Sequence, residues 1–186
     1  MPFIETGFPG LIIFEPQVWG DDRGYFYESY NQNTFHKAGI VENFVQDNQA
    51  RSVFGVVRGL HFQKNPYAQS KLIRVLEGRI LDVAVDLRTG SPSYGKAFSL
   101  ELSATNKKQL LVPKGFAHGY SVLSETAEVF YKCDAFYSKE NEGGLSFNDP
   151  SLNIDWQVPG DKMILSPKDL VYPLFSECVH NFVFEG

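Results

Sequence analysis

The feature that most constrains the fold is a succession of short β-like segments separated by turn residues. In KLIRVLEGRILDVAVDLR, residues 71–88, side chains alternate up to Gly78, and the alternation resumes after it. A period of two is typical of strands whose two faces meet different surroundings. The segments AFSLELS, QLLVPKGFAHGYSVL and AEVFYKCDAFYS continue the pattern. Many short strands with regular turns predict an all-β protein, an antiparallel sandwich or barrel.

Two short helices are predicted to interrupt the strands. The first lies in NQNTFHKAG and ends at Gly39. The second begins at Ser166, where a capping serine is followed by Pro167 in the first turn and by Asp169 three residues after the cap. The chain has 186 residues, enough for one substantial core, so we expect a single domain spanning residues 1–186.

Composition and charge argue against several classes of partner. The net charge of −5 gives no general attraction to nucleic acid or to an anionic membrane surface. No apolar run approaches the roughly 20 residues that a membrane helix needs. The N-terminal MPFIETGFPGLIIFEP lacks a basic leader, so we expect no signal peptide. Cys133 and Cys178 lack metal-motif spacing, and we expect both to stay reduced in a cytoplasmic protein.

Two histidines in hydrophobic strand-like segments are the first candidates for chemistry. They are His61 in VRGLHFQ and His118 in PKGFAHGY. The spacing of Pro113, glycine and His118 resembles the second signature of cupins, whose histidines often hold a metal. The usual first signature supplies two further histidines and a glutamate, whereas here Gln63 and Lys71 stand nearby. A metal site needs three or more good donors, and a lysine would repel the ion, so we expect no metal.

The same residue types suit removal of a proton from carbon next to a ketone. Such a reaction needs a positioned base and a positive charge or donor for the developing enolate oxygen. A histidine, with an ordinary pKa of about 6.5, is a good base at neutral pH. A lysine would stabilise the enolate, and a tyrosine on the opposite face could return the proton and invert the centre. A structural role for an isolated histidine remains the alternative.

An ordered set of motifs covers the chain from about Phe3 to Pro173. The motifs are GDDRGYFYE, VQDN, GVVRGLHFQ, KLIRVLEGRILDV, SPSYGK, PKGFAHGYSVLSE, YKCDAFYSKENEGGLSFNDP, IDW and LSPKD. In this order they resemble the dTDP-4-dehydrorhamnose 3,5-epimerases. The resemblance implies a cofactor-free, metal-free, cupin-type jelly roll that forms a homodimer. It also implies inversion of C3 and C5 of dTDP-4-dehydro-6-deoxy-D-glucose to dTDP-4-dehydro-L-rhamnose, in dTDP-L-rhamnose synthesis.

Four catalytic residues follow from the resemblance. His61 matches the general base and Asp169 the acid that orients it, since a carboxylate on one ring nitrogen fixes the tautomer. Tyr131 matches the proton donor, and Lys71 matches the lysine beside the sugar keto oxygen. Each has a structural alternative: a capping-box acid for Asp169, a core aromatic for Tyr131 and a solvated strand-end cation for Lys71.

The resemblance also implies a set of substrate-binding residues. Arg23 and Arg58 match the pyrophosphate arginines, because planar bidentate donors suit phosphate oxygens. The remaining matches are the nucleotide-side Glu28, Gln46 and Asn48, the sugar-pocket His118, the thymine-stacking Tyr137, and the peripheral Glu142 and Lys168. In the family the N-terminal part crosses to the other subunit, so Arg23 and Glu28 are candidates for the partner's site. A turn salt bridge with Asp21 or Asp22 is the alternative for Arg23.

Departures from the family pattern and rival functions remain open. Ala50 stands where the family often has serine, and Trp19 where many members have phenylalanine. Within the resemblance, the rivals are a dTDP-sugar mono-epimerase and a 3,4-ketoisomerase. Outside it, they are a non-catalytic sugar- or nucleotide-binding cupin and a metal-dependent cupin. The presence of His61, Lys71, Tyr131 and Asp169 together favours the double epimerase.

Overall fold

The fold is built almost entirely from β-strands, in a computed structural model that describes residues 2–186. The strands are β1 (Phe3–Glu5), β2 (Ile12–Phe14), β3 (Val18–Asp21), β4 (Gly24–Tyr27), β5 (Gln46–Val53), β6 (Val57–Gln63), β7 (Lys71–Glu77), β8 (Arg79–Asp86), β9 (Ala97–Ser103), β10 (Gln109–Val112), β11 (Phe116–Val122), β12 (Thr126–Cys133) and β13 (Glu142–Gly144). The helices are α1 (Gln32–Lys37) and 3-10 turns at Lys139–Asn141, Gly160–Lys162 and Phe175–Glu177. No helix within residues 2–186 is long and apolar enough to cross a membrane.

The strands form two main sheets and a separate hairpin. The six-stranded sheet has the order β1-β2-β10-β7-β12-β5, and the five-stranded sheet has the order β13-β6-β11-β8-β9. Strands β3 and β4 pair only with each other in the described part of the chain. The named strands of residues 2–186 pair antiparallel throughout. The predicted antiparallel all-β fold is confirmed.

Gly78 carries the chain from one sheet to the other. The alternating segment predicted from the sequence becomes β7 in the six-stranded sheet and β8 in the five-stranded sheet. Gly78 has a φ of 74°, and a Cβ there would lie 2.1 Å from the carbonyl oxygen of Thr126. Because glycine has no side chain, it tolerates the positive φ and leaves room for the Thr126 carbonyl. The chain turns at Gly78, so that β7 and β8 lie in different sheets and help to enclose the interior between them.

Strand β8 is buried on both of its faces. Ile80 and Ala84 pack in the interior with Ile73 of β7 and Tyr120 of β11. The opposite face, which includes Val83, packs in a second apolar cluster with side chains of the C-terminal segment, among them Leu145, Leu152, Trp156 and Phe182. The C-terminal segment therefore lies against the outer face of the five-stranded sheet, close to β6 and its histidine.

The two predicted helices had different outcomes. Helix α1 is confirmed, and the Asn31 side chain caps it by accepting from the backbone N–H of Asn33 at 2.9 Å. The helix predicted from Ser166 is wrong: residues 167–170 form a single turn. The capping contact does form, since Asp169 N–H donates to Ser166 Oγ at 3.3 Å. The flanking residue Ile164 is bridged to Val56 and accepts from the backbone N–H of Val57, the first residue of β6, at 2.9 Å. A helix this short has no cooperative stability.

Candidate active site

Two adjoining cavities open beside β6, and three side chains line both of them. The first cavity has a volume of about 420 Å³ and the second about 300 Å³, and His61, Lys71 and Tyr131 belong to both. The first is also lined by Ala50, Val56, Val57, Arg58, His118, Gly119, Tyr120, Ile164, Leu165, Ser166 and Asp169. The second is also lined by Gln46, Asn48, Phe62, Gln63, Gln69, Tyr137 and Glu142. All four predicted catalytic residues thus lie together.

His61 and Asp169 form a hydrogen-bonded pair, although 108 residues separate them in sequence. His61 Nε2 lies 2.5 Å from Asp169 Oδ1, and Ser166 Oγ donates to the other carboxylate oxygen at 2.9 Å. Burial acts to raise the pKa of Asp169, but the hydrogen bonds from His61 and Ser166 outweigh it, so the pKa lies below its ordinary value. The ionised carboxylate accepts the Nε2–H, which leaves the lone pair of His61 on Nδ1.

Tyr172 packs edge-on against the His61 ring, a contact that sequence reasoning missed. The two ring centroids are 5.6 Å apart with an interplanar angle of 64°. Gly144 of β13 is paired with His61, and a Cβ at Gly144 would lie 2.6 Å from the Tyr172 ring. This glycine lets the Tyr172 ring approach and confine the imidazole. The sequence shows only a tyrosine in a loop, which carries no signal of this contact.

A second histidine–carboxylate pair lies next to the first. His118 of β11 is the register partner of His61 on β6. Its Nε2 lies 2.9 Å and 3.0 Å from the two carboxylate oxygens of Asp82, a residue of β8 with no exposed surface. Sequence reasoning missed Asp82, although an acid inside the apolar run LDVAVD was a usable signal. The pair orients His118 toward the cavity that His61 also lines.

Lys71 and Tyr131 approach the same space from the six-stranded sheet. The Lys71 ammonium lies 6.0 Å from the centroid of the Tyr131 ring. Burial lowers the pKa of Lys71, while Cys133, Asp82 and Glu142 act in the opposite direction. Burial raises the pKa of Tyr131, so its hydroxyl is a protonated donor at neutral pH. The site therefore contains an oriented imidazole, a primary amine and a phenol.

Four predicted binding residues surround the second cavity. Gln46 accepts from the backbone N–H of Tyr137 at 3.2 Å and donates to Asn48 at 3.1 Å. The Tyr137 hydroxyl donates to Glu142 at 3.0 Å. Lys168, which neighbours Asp169 in sequence, forms an ion pair with Glu142. This ion pair ties the turn that carries Asp169 to the wall of the second cavity.

The predicted arginines have different positions. Arg58 lines the first cavity, and its Nε donates to Ser52 Oγ at 3.1 Å. Arg23 lies on the β3–β4 hairpin, pairs with Asp21 at 2.5 Å and lines neither cavity. Glu28 also lies outside both cavities, where it accepts from Asn31 at 2.9 Å. The structure therefore does not bring Arg23 and Glu28 to the site of the same protomer.

The histidines do not form a cluster of metal ligands. Within residues 2–186, no group of three or more histidine, cysteine, aspartate or glutamate side chains is arranged to hold a metal ion. The ammonium of Lys71 also lies beside the cavity that His61 and His118 line. The expected absence of a metal stays a prediction, which metal analysis of the purified protein would test.

Comparison with known proteins identifies the family. The model of the dTDP-4-dehydrorhamnose 3,5-epimerase family matches residues 5–177. The chain belongs to this family. The Shigella flexneri dTDP-4-dehydrorhamnose 3,5-epimerase is 52% identical over 171 residues, which are 91% of this chain and 93% of that protein.

Solved structures of family members share the fold. The dTDP-4-dehydrorhamnose 3,5-epimerase of Elizabethkingia anophelis NUHP1 superposes with a TM-score of 0.91 at 53% identity, covering 94% of this chain and 96% of that one. A Legionella pneumophila dTDP-6-deoxy-D-glucose-3,5-epimerase, in complex with dTDP-4-keto-L-rhamnose, superposes with a TM-score of 0.90 at 46% identity, covering 94% of this chain and 93% of that one. The predicted family, the cupin-type jelly roll and the assignment as an epimerase are confirmed.

Proposed function

We propose that this epimerase inverts C3 and C5 of dTDP-4-dehydro-6-deoxy-D-glucose to give dTDP-4-dehydro-L-rhamnose, in dTDP-L-rhamnose synthesis. The observation that carries the proposal is the His61–Asp169 pair in one cavity with Lys71 and Tyr131. These groups supply a base, a cation and an acid, the three that stereochemical inversion next to a ketone requires. No other group is needed for the proton balance.

His61 is the base for proton removal. Its Nε2–H is held by Asp169, so Nδ1 takes the proton from the sugar carbon and the C–H electron pair moves into the carbonyl as an enolate. The imidazolium that forms is stabilised by the ionised Asp169. Lys71 faces the developing enolate oxygen. A cation in a partly desolvated cavity stabilises such an oxygen more strongly than it would in water.

Tyr131 returns a proton to the opposite face of the same carbon. The proton comes from its hydroxyl, and the enolate electron pair forms the new C–H bond. His61 then carries one extra proton and Tyr131 lacks one, and exchange with solvent restores both. The same cycle at C3 and at C5 gives the double inversion.

The nucleotide half is assigned to the remaining residues. Arg58 and the partner-directed Arg23 bind the diphosphate, and His118 lines the sugar and diphosphate pocket. Tyr137 stacks on thymine, with Gln46, Asn48, Glu142 and Lys168 around the nucleotide, and Glu28, like Arg23, is directed to the partner's site. The support within this chain is that Gln46, Asn48, Tyr137 and Glu142 line one cavity that adjoins the catalytic side chains.

Proton NMR of dTDP-4-dehydro-6-deoxy-D-glucose with the enzyme in deuterated water tests the proposed function. Loss of both the C3 and the C5 proton signals, followed by dTDP-L-rhamnose formation when the downstream reductase is added, is the expected result. Loss at only one carbon would assign the chain to the mono-epimerases. Absence of exchange at both carbons would contradict an epimerase acting on this substrate.

Replacing Tyr131 with phenylalanine is expected to separate proton removal from inversion. His61 can still exchange the sugar protons with solvent, but the acid on the opposite face is absent. Product formation should fall by about 10²-fold or more, while exchange falls less. NMR exchange and coupled reductase assays on the same sample give the ratio of the proton-exchange rate to the rate of product formation. Equal loss of both activities would contradict the assignment, and Tyr94→Phe is the matched control.

We also propose a cytoplasmic homodimer in which the β3–β4 hairpin contacts the partner. The hairpin exposes Trp19, Tyr25 and Phe26, at 56%, 62% and 70% of their surfaces, and an apolar patch of this kind is typical of an interface. Arg23 lies in the turn of the same hairpin and lines neither of the two catalytic cavities. The free thiols of Cys133 and Cys178 suit a reducing compartment.

Replacing Phe26 with aspartate is expected to weaken the dimer. A buried aromatic anchor at an interface contributes about 2 kcal/mol or more, so the dissociation constant should rise by about 30-fold or more. Analytical ultracentrifugation over a concentration series measures the dissociation constant of the dimer. Val179→Asp, which alters another exposed apolar residue, is the control. A dimer that Phe26→Asp leaves as tight as the wild type would contradict the proposed interface.

A further inference from the structure

Tyr120 carries a buried hydroxyl that the steps above do not use. It lies on β11, lines the first cavity and is 5% exposed. Within residues 2–186 its Oη has no partner at hydrogen-bonding distance, and the Ser52 hydroxyl, which influences the pKa of Tyr120, accepts from Arg58 Nε instead. Buried polar groups in native proteins are nearly always paired, so an unpaired one that borders a cavity points to a partner that enters the cavity.

The strand register places this side chain on the Arg58 side of His118. On β6 and β11, His118 is paired with His61 and Tyr120 is paired with Arg58. Residues two apart on a strand point to the same face and are separated by about 6.5 Å. Tyr120 therefore projects into the same interior as His118, one step toward Arg58 and away from the catalytic base.

The surroundings of Tyr120 favour an anionic acceptor. Arg58 donates through Nε to Ser52, and among the described residues neither terminal nitrogen of its guanidinium has a hydrogen-bond partner, so both can bind a ligand. Burial raises the pKa of Tyr120, with Arg58 and Ser52 acting in the opposite direction, so the hydroxyl is protonated at neutral pH. A neutral donor beside a cation suits an oxygen that carries negative charge.

We propose that the Tyr120 hydroxyl donates a hydrogen bond to a phosphoryl oxygen of the sugar nucleotide, beside Arg58. This inference rests on the proposed function, because it takes the bound molecule to be a nucleoside diphosphate sugar. Tyr120 then satisfies its hydroxyl only when the ligand is bound. It binds the part of the substrate that does not react, so it contributes equally to the ground state and the transition state.

The variant Tyr120→Phe removes the hydroxyl and keeps the ring. Calorimetry at fixed ionic strength should show dTDP binding weakened by about tenfold or more. The KM for the dTDP-sugar should rise similarly with kcat nearly unchanged, as expected for uniform binding. The Tm of the ligand-free variant should equal or exceed that of the wild type, because the lost hydroxyl was unpaired. Tyr94→Phe, at an exposed tyrosine that lines neither cavity, should change none of these values.

Three results would overturn the inference. A lower Tm of the ligand-free variant with unchanged dTDP binding would mean that Tyr120 bonds to Ser52 and has a structural role. Unchanged dTDP binding with a raised KM would place the hydroxyl on the sugar instead. A fall in kcat at unchanged KM would make it part of the chemistry. If the wild-type protein itself fails to bind dTDP, the proposed function is wrong. Measuring the wild type first separates this result from a failure of the inference about Tyr120.

Discussion

Replacing His61 with alanine is expected to reduce proton exchange at C3 and at C5 by about 10²–10⁴-fold, the usual contribution of a general base. Both positions should be affected together, because one imidazole serves both. The binding of dTDP should stay close to that of the wild type, since His61 contacts the reacting carbons and not the nucleotide. Exchange is measured by proton NMR in deuterated water, and dTDP binding by calorimetry.

The control for His61→Ala is His36→Ala, an exposed histidine in α1. This variant should exchange both protons at the wild-type rate. Normal turnover by His61→Ala would refute the base assignment. Loss of exchange at one carbon only would mean that a second base serves the other, and His118, paired with Asp82, would be the candidate. A parallel loss of dTDP binding would indicate a structural role for His61.

Replacing Asp169 with asparagine is the second change with a large expected effect. Asparagine can still accept from His61 through its amide oxygen, and its amino group can donate to Ser166, whose hydroxyl can rotate to accept. The geometry is therefore retained while the negative charge is lost. A carboxylate in contact stabilises a neighbouring cation by about 10- to 10³-fold, so exchange at C3 and C5 should fall within that range.

Stability against pH gives an independent measurement on Asp169→Asn. Because the pKa of Asp169 is lowered in the folded protein, its ionised form stabilises the fold above its ordinary value of about 3.9. That contribution is lost as the pH falls through the lower folded pKa. Urea unfolding should therefore show the wild type more stable than the variant at pH 7, with a difference that shrinks below about pH 4.

Asp161→Asn, at an exposed aspartate in a 3-10 turn, is the matched control for both measurements. It should leave exchange and the pH dependence of stability at their wild-type values. Wild-type exchange by Asp169→Asn would show that the carboxylate only caps its turn, the structural alternative that the sequence left open.

The Ser166 turn shows why local sequence signals were insufficient near the site. Serine, proline and an acid at capping spacing predict a helix start, and the capping contacts are present. The helix does not continue because the segment is fixed at both ends, by the bridge of Ile164 to Val56 and by the hydrogen bond from Ser146 N–H to the Pro173 carbonyl. A capping motif specifies a first turn, whereas the surrounding packing decides whether further turns follow.

The sequence also could not predict the buried polar contacts of the candidate site. Asp82 pairs with His118, Tyr172 confines His61, and Tyr120 lines the cavity with a hydroxyl that has no partner among the described residues. In the sequence an aromatic in an alternating strand is usually core, and Tyr120 is indeed packed in the core cluster. One side chain can do both, because its ring packs in the interior cluster while the residue also lines the cavity.

The sequence by itself determined the strands from β6 to β12, the first helix and the family, because period-two alternation, turn residues and ordered motifs are local properties of the chain. Only the tertiary structure decided that β7 and β8 belong to different sheets, that Asp169 reaches His61 across 108 residues, and that Arg23 lies away from its own site. The physical reason is that each of these depends on how separate segments pack. Pairing across a sheet, burial of a carboxylate and exposure of a hairpin are set by partners that no local pattern encodes.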